Sequence, residues 1–209
     1  MTTYVTMRNR ITDEMVNESL TTAQVNNAIQ SAIAHYQSVR FYFNESRSET
    51  FSTVASQEFY AAAANANIPN LSKIDRLTIT VNSVRYPITP QSWDWIDTIS
   101  STTSSTGQPT DYCYYAQQIR LYPIPDAVYT VRISGLVRFA ALSADADTNA
   151  WMTDGEALIR GRAKWDLAIN VVYSPEIEAS AAELEASALR VLNAETVRRM
   201  SSRIASYTT

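Results

Sequence analysis

The chain has 209 residues, 45% of them hydrophobic and 18% charged, with a formal net charge of −4. That length suits one large domain or two small ones burying roughly 70% of their unfolded surface, and the composition excludes a globally disordered chain. The negative balance weakens any case for non-specific phosphate binding, and the single Cys113 excludes an intramolecular disulfide and fits a reducing compartment.

The opening residues, MTTYVTMRNRITDE, lack the apolar run of a signal peptide, and no stretch approaches the ~20 apolar residues that span a bilayer. A soluble protein made in the cytoplasm is expected. Thr12 can cap a short first helix, with Ile11 before it and Val16 placed to staple onto it. Thr21 and Gln24 have the spacing of a capping box, and Leu20 with Val25 that of a staple. Val25, Ile29, Ile33 and Tyr36, with Ala32 beside them, then predict an amphipathic helix to about Phe41.

From Glu45 the period changes to two. SETFSTV alternates around Phe51, and LTITVNSVRYPIT predicts a hairpin with its turn at Asn82 and Ser83. That register sets Val81 opposite Val84, Ile79 opposite Tyr86 and Leu77 opposite Ile88, with all six on one face. Pro87 falls at a non-hydrogen-bonded site, so its strand should lie at or near an edge. PQSWDWID predicts a short helix or turn carrying Trp93 and Trp95, and residues 101–110 (STTSSTGQPT) a loop.

In YCYYAQQIRLYPIPDAVYTVRIS, residues 112–134, a turn at Gln117 and Gln118 would set Tyr112, Tyr114 and Ala116 against Ile119, Leu121 and Pro123. Pro123 and Pro125 end that strand, and Pro125-Asp126 turns the chain. Tyr129, Val131, Ile133, Gly135, Val137 and Phe139 then keep one parity. The tyrosines read as half-buried sheet residues in a pair of hairpins.

Helices close the chain. Thr153 and Glu156 predict a capping box for a helix to about Tyr173, and Ser174-Pro175 restarts another. Ile177, Ala181, Leu184, Ala188 and Val191 mark its inner face, with Glu176, Glu178, Glu183 and Glu185 outside. Arg190, Arg198, Arg199 and Arg203 against Glu195 make the end locally +3. These arginines fit either a solvated helix end or a tail docking onto an acidic partner.

No nucleophile motif, phosphate-cradling glycine loop or CxxC pair occurs, and His35 and Cys113 read as ordinary structural residues. DADTNAWMTDGE places Asp145, Asp147, Asn149 and Glu156 at calcium-loop spacing. Ala150 stands where that loop needs glycine, a strand precedes it, and Glu156 competes as a capping acid. A polar strand-to-helix loop is the favoured reading, and no cofactor or catalytic residue is expected.

The order of parts, and above all the run Gln108 to Ile133 with Q-P-x-x-Y-x-x-Y, I-R-L-Y-P-x-P and Y-x-V-x-I, resembles the head-to-tail adaptor proteins of tailed bacteriophages. The layout continues through Trp151 into two closing helices, and one departure is Gln117-Gln118, where relatives tend to carry a glycine-containing turn. The resemblance implies an α+β fold, with a helical bundle built from both chain ends and an inserted antiparallel β-sheet domain. The expected divisions are residues 1–44 (N-terminal helices), 45–142 (β domain), 143–195 (C-terminal helices) and 196–209 (basic tail).

It further implies a non-enzymatic virion protein forming a homo-oligomeric, usually dodecameric, ring beneath the portal protein. Such a ring joins the portal to a tail or nozzle protein, and genomic DNA passes its lumen without sequence-specific binding or any membrane. Arg190, Arg198, Arg199 and Arg203 would then dock on the portal, and Trp93, Trp95 and Tyr115 would supply a subunit or tail interface. The alternatives are another neck or tail-completion protein, or a calcium-binding module on Asp145 to Glu156.

Overall fold

In a computed structural model, which describes residues 2–15, 19–102 and 105–200, helices and strands run as follows. The order is α1 (Tyr4–Glu14), α2 (Thr22–Tyr36), β1 (Glu45–Ser52), β2 (Phe59–Tyr60), β3 (Leu71–Val81), β4 (Val84–Pro90) and α3 (Trp93–Thr102). Then come β5 (Thr106–Gly107), β6 (Asp111–Tyr115), β7 (Gln118–Tyr122), β8 (Ile124–Pro125), β9 (Thr130–Val137), α4 (Ala150–Thr153), α5 (Glu156–Leu167) and α6 (Pro175–Met200). The fold is α+β. Two compact units form, one from Met1–Asn44 with Phe139–Thr209 and one from Glu45–Arg138.

In the helical unit, α1 begins earlier than the expected start at Thr12. Thr3 is the cap, its hydroxyl accepting from the Thr6 amide and Thr6 returning the bond. Tyr4, Met7 and Ile11 at helical spacing are buried, a face available only to a helix that starts before them. Thr12 sits in the last turn, where its hydroxyl donates to the Arg8 carbonyl at 3.1 Å. Val16, its expected staple partner, lies outside the described residues.

The Thr21–Gln24 capping box of α2 forms as expected, with Val25 buried and Leu20 packed against the same core. The helix stops at Tyr36 rather than Phe41 because Asn44 holds the following turn. Its side-chain oxygen accepts from the Phe41 amide at 2.8 Å and its amide donates to the Val39 carbonyl at 2.7 Å.

The Thr153–Glu156 box is absent. Asn149 instead caps α4, accepting from the Trp151 amide at 3.0 Å, while Thr153 donates to Asp154 and α5 starts after Gly155. Capping one turn earlier buries Trp151 to 1% exposure against Phe41 and Phe43. The helical path reaches Tyr173 through a π-type turn at Ala168–Val172, and α6 restarts with Pro175 in its first turn.

On α6, Ala181, Leu192 and Thr196 are buried while Val191 is 66% exposed, so the inner stripe turns by one residue from the expected Val191. Glu185, expected outside, accepts from the Tyr36 hydroxyl and pairs with Arg162 at 3.6 Å. Helices α5 and α6 approach closely at Gly161, where a Cβ would lie 2.8 Å from the Glu185 amide nitrogen. The helix continues through Met200, with the Thr196 hydroxyl accepting from the Tyr42 amide at 3.1 Å.

In the other unit, seven strands are ordered β1-β9-β3-β4-β6-β7-β2, with β5 and β8 paired separately. Most pairs are antiparallel, but β4–β6 and β5–β8 are parallel, so the sheet is mixed rather than wholly antiparallel. The β3–β4 register is the expected one, pairing Leu77 with Ile88, Ile79 with Tyr86 and Val81 with Val84. Only part of that face is covered: Leu77, Ile79 and Ile88 are buried, whereas Val84 and Tyr86 near the turn are exposed. Strand β4 meets β6 only at Thr89 and Pro90, which leaves Pro87 on an open edge.

The tyrosine hairpin turns at Ala116 and Gln117, one residue before the expected Gln117-Gln118. Both turn residues have positive φ, 48° and 61°, as a two-residue hairpin turn requires. The register is Tyr112 opposite Leu121 and Tyr114 opposite Ile119, which keeps the expected faces and leaves Pro123 beyond the ladder. Strand β9 forms no hairpin with β7; it lies between β1 and β3, with Val131 and Ile133 in the core. Phe139 departs from the strand parity and packs in the helical unit against Phe43 and Trp151.

Candidate functional site

The most organised exposed surface lies on the β unit. Pairing across β2, β7 and β6 sets Phe59 opposite Arg120 and Arg120 opposite Cys113, so the three share a row. Helix α3 buries Ile96 and brings Trp93 and Asp97, four residues apart, to the same arginine. The Arg120 guanidinium lies 4.7 Å from the Trp93 ring centre and 5.4 Å from that of Phe59. Its Nε donates to the Glu58 carboxylate and its Nη1 to Asp97 Oδ1 at 3.2 Å.

Burial opposes the charge on Arg120, but the Glu58 and Asp97 carboxylates outweigh it and raise its pKa. The cation is therefore permanent, neutralised in place and used as the support of an aromatic strip. Trp93 stands 6.0 Å from Phe59 and 5.3 Å from Tyr115 between ring centres. Tyr115 is 63% and Phe59 39% exposed, so an apolar strip faces solvent on either side of half-buried Trp93. Next to it, burial pushes the Cys113 thiol up, away from the reactive thiolate form.

Of the three aromatics singled out from the sequence, Trp93 and Tyr115 are thus brought together. Trp95 is separate, its ring edge-on to Tyr122 at 6.3 Å. Phe59, Arg120, Glu58 and Asp97 were not foreseen. An arginine between Ile119 and Leu121 in an apolar strand was the available signal, but its partner Glu58 stands 62 residues away.

The arginines near the C-terminus form a second cluster. Arg198 and Arg199 both hold Glu195, at 2.6 and 2.5 Å, and those hydrogen bonds bring its carboxyl down to about 2. Arg199 also lies 3.8 Å from the Tyr42 ring centre. Burial, and then the 2.7 Å bond that the Tyr42 hydroxyl donates to Asp154, push that hydroxyl up to about 12. Arg190 is exposed on the same helix, and Arg203 lies outside the described residues.

The four possible calcium donors each have other work. Asp145 pairs with Arg8 at 2.9 Å, Asp147 accepts from the Ser143 and Ala144 amides, Asn149 caps α4, and Glu156 pairs with Arg10 and Arg160. Among the described residues no group of three His, Cys, Asp or Glu could hold a metal ion. His35 is exposed on α2, edge-on to Tyr36 at 4.7 Å. No helix among the described residues is long and apolar enough to cross a membrane.

The chain belongs to the SU10 adaptor protein family, whose model matches residues 2–206, and is thus a structural bacteriophage adaptor. Comparison with curated proteins gives no match.

Proposed function

We propose that this protein is a non-enzymatic head-to-tail adaptor, forming a closed ring beneath the portal protein and offering a platform to the tail or nozzle protein. The helices of both chain ends form one bundle in this reading, the β unit is its inserted domain, and the ring has twelve copies with genomic DNA crossing its lumen. The observation that carries it is the strip Phe59–Trp93–Tyr115, in which half-buried Trp93 lies over Arg120 while Phe59 and Tyr115 on either side of it stay exposed. A ring needs a heterologous contact, and preorganised aromatics give contact area at little entropic cost.

At the other end of the chain, Arg190, Arg203 and the surplus charge of the Arg198–Arg199 pair over Glu195 dock on the portal. The test is co-sedimentation with the portal protein of the same genome. Tyr115→Ser should remove the assembled species while leaving the free protein folded. Full-strength assembly by that variant would take the interface away from the strip.

A further inference from the structure

We infer that the outer face of β1–β9–β3–β4 is a contact surface for the sugar–phosphate backbone of a nucleic-acid duplex. Opposite the buried Val131, Ile133, Leu77 and Ile79, this face carries Arg76, Arg85 and Arg132 among hydroxyl side chains. The row Thr50–Arg132–Thr78 crosses three strands, Arg85 stands opposite Thr80, and Arg76 opposite Ser134. None of these positions is buried.

Glu45 stands on this face at the other end of β1, opposite Leu136, but around the three arginines the charge is positive. From Arg76 to the β3–β4 turn it holds no Asp or Glu, and no carboxylate among the described residues pairs with any of the three arginines. A merely soluble face would be served by mixed charge, and Arg76 and Arg132 lie on internal strands, where no edge needs guarding. Strand spacing and rise put the three Cα atoms roughly 8, 12 and 14 Å apart, too far to share one phosphate but suited to separate ones along a backbone.

Arginine and Ser/Thr hydroxyls are the donors used on phosphate oxygens. The face has no aromatic for base stacking and no Asn or Gln for base edges, so the contact is blind to sequence and ignores single strands. Three contacts per copy give a weak, salt-labile grip that permits sliding. The inference rests on the adaptor reading only for the source of the duplex.

The experiment is fluorescence anisotropy of a short labelled DNA duplex with the full chain, read across a salt series. The wild type should bind at low salt with a log K against log salt slope of about −2.7, and each of R76Q, R85Q and R132Q should reduce that slope by about 0.9. The triple variant, with an unchanged far-ultraviolet circular dichroism spectrum, should lose binding, whereas R190Q should not. An unchanged slope in the triple variant, no binding at the lowest salt, or equal capture of polyglutamate would overturn the proposal. Co-sedimentation of the triple variant with the portal reports on the adaptor role separately, and should be retained.

Discussion

Arg120 of β7 lies with its guanidinium 4.7 Å from the ring centre of Trp93 on α3. One turn along the same helix, Asp97 accepts from that guanidinium at 3.2 Å. A single helical turn thus supplies both a π face and a carboxylate to one strand cation, and docks α3 on the sheet.

Arg120→Met should therefore destabilise the β unit by about 3 kcal/mol, because Glu58 loses its partner in a partly buried site. The urea midpoint measures it. A loss below about 1 kcal/mol would mean that the ion pairs do not hold the helix in place.

Tyr115→Ser should behave oppositely. At 63% exposure the ring contributes little to the fold, so stability should stay within about 0.5 kcal/mol. A large drop in the urea midpoint would make the strip part of the core rather than an interface.

Gly161→Ala separates helix propensity from packing. Alanine is the better helix former by up to about 1 kcal/mol, yet its Cβ would lie 2.8 Å from the Glu185 amide nitrogen on α6. The close approach should win, with a net loss of about 1–3 kcal/mol by thermal or urea unfolding. A stabilised variant would show that α5 and α6 can separate freely.

How much of this was legible in the sequence depended on how local each signal was. The Thr21–Gln24 box and the Leu77–Ile88 register are readable because the interacting residues are near neighbours and the pattern checks itself. The start of α1 was misplaced because Thr3 and Thr12 both satisfy the cap rule, and only the burial of Tyr4 and Met7 decides between them. The placement of β9 between β1 and β3 was invisible, since its partners are non-local and its alternation fits a local hairpin equally well. At the site, Trp93 and Tyr115 could be picked as exposed aromatics, but their support through Arg120, Glu58 and Asp97 depends on three distant elements.

Acid should weaken the protein through two carboxylates. For Glu14, burial raises the pKa, but Lys164, Arg160 and Arg10 outweigh it and leave it below the usual 4.5. Glu195 is held at about 2 by Arg198 and Arg199. Both are depressed in the fold, so their stabilisation is complete above pH 4.5 and fades as pH falls through the folded values. Glu14→Gln should flatten the acid limb of stability against pH; an unchanged limb would place the acid sensitivity elsewhere.

Calcium should leave the melting temperature unchanged, since Asp145, Asp147, Asn149 and Glu156 are each bonded elsewhere. A calcium-dependent rise removed by Asp147→Asn would establish a site there.

The most direct test of the adaptor role is negative-stain imaging of the full chain mixed with the portal protein of the same genome, beside a variant truncated after Met200. The account predicts an added ring of density beneath the portal, weakened when Arg203 and the rest of 201–209 are removed. Portal particles without added density, across a range of salt concentrations, would contradict it.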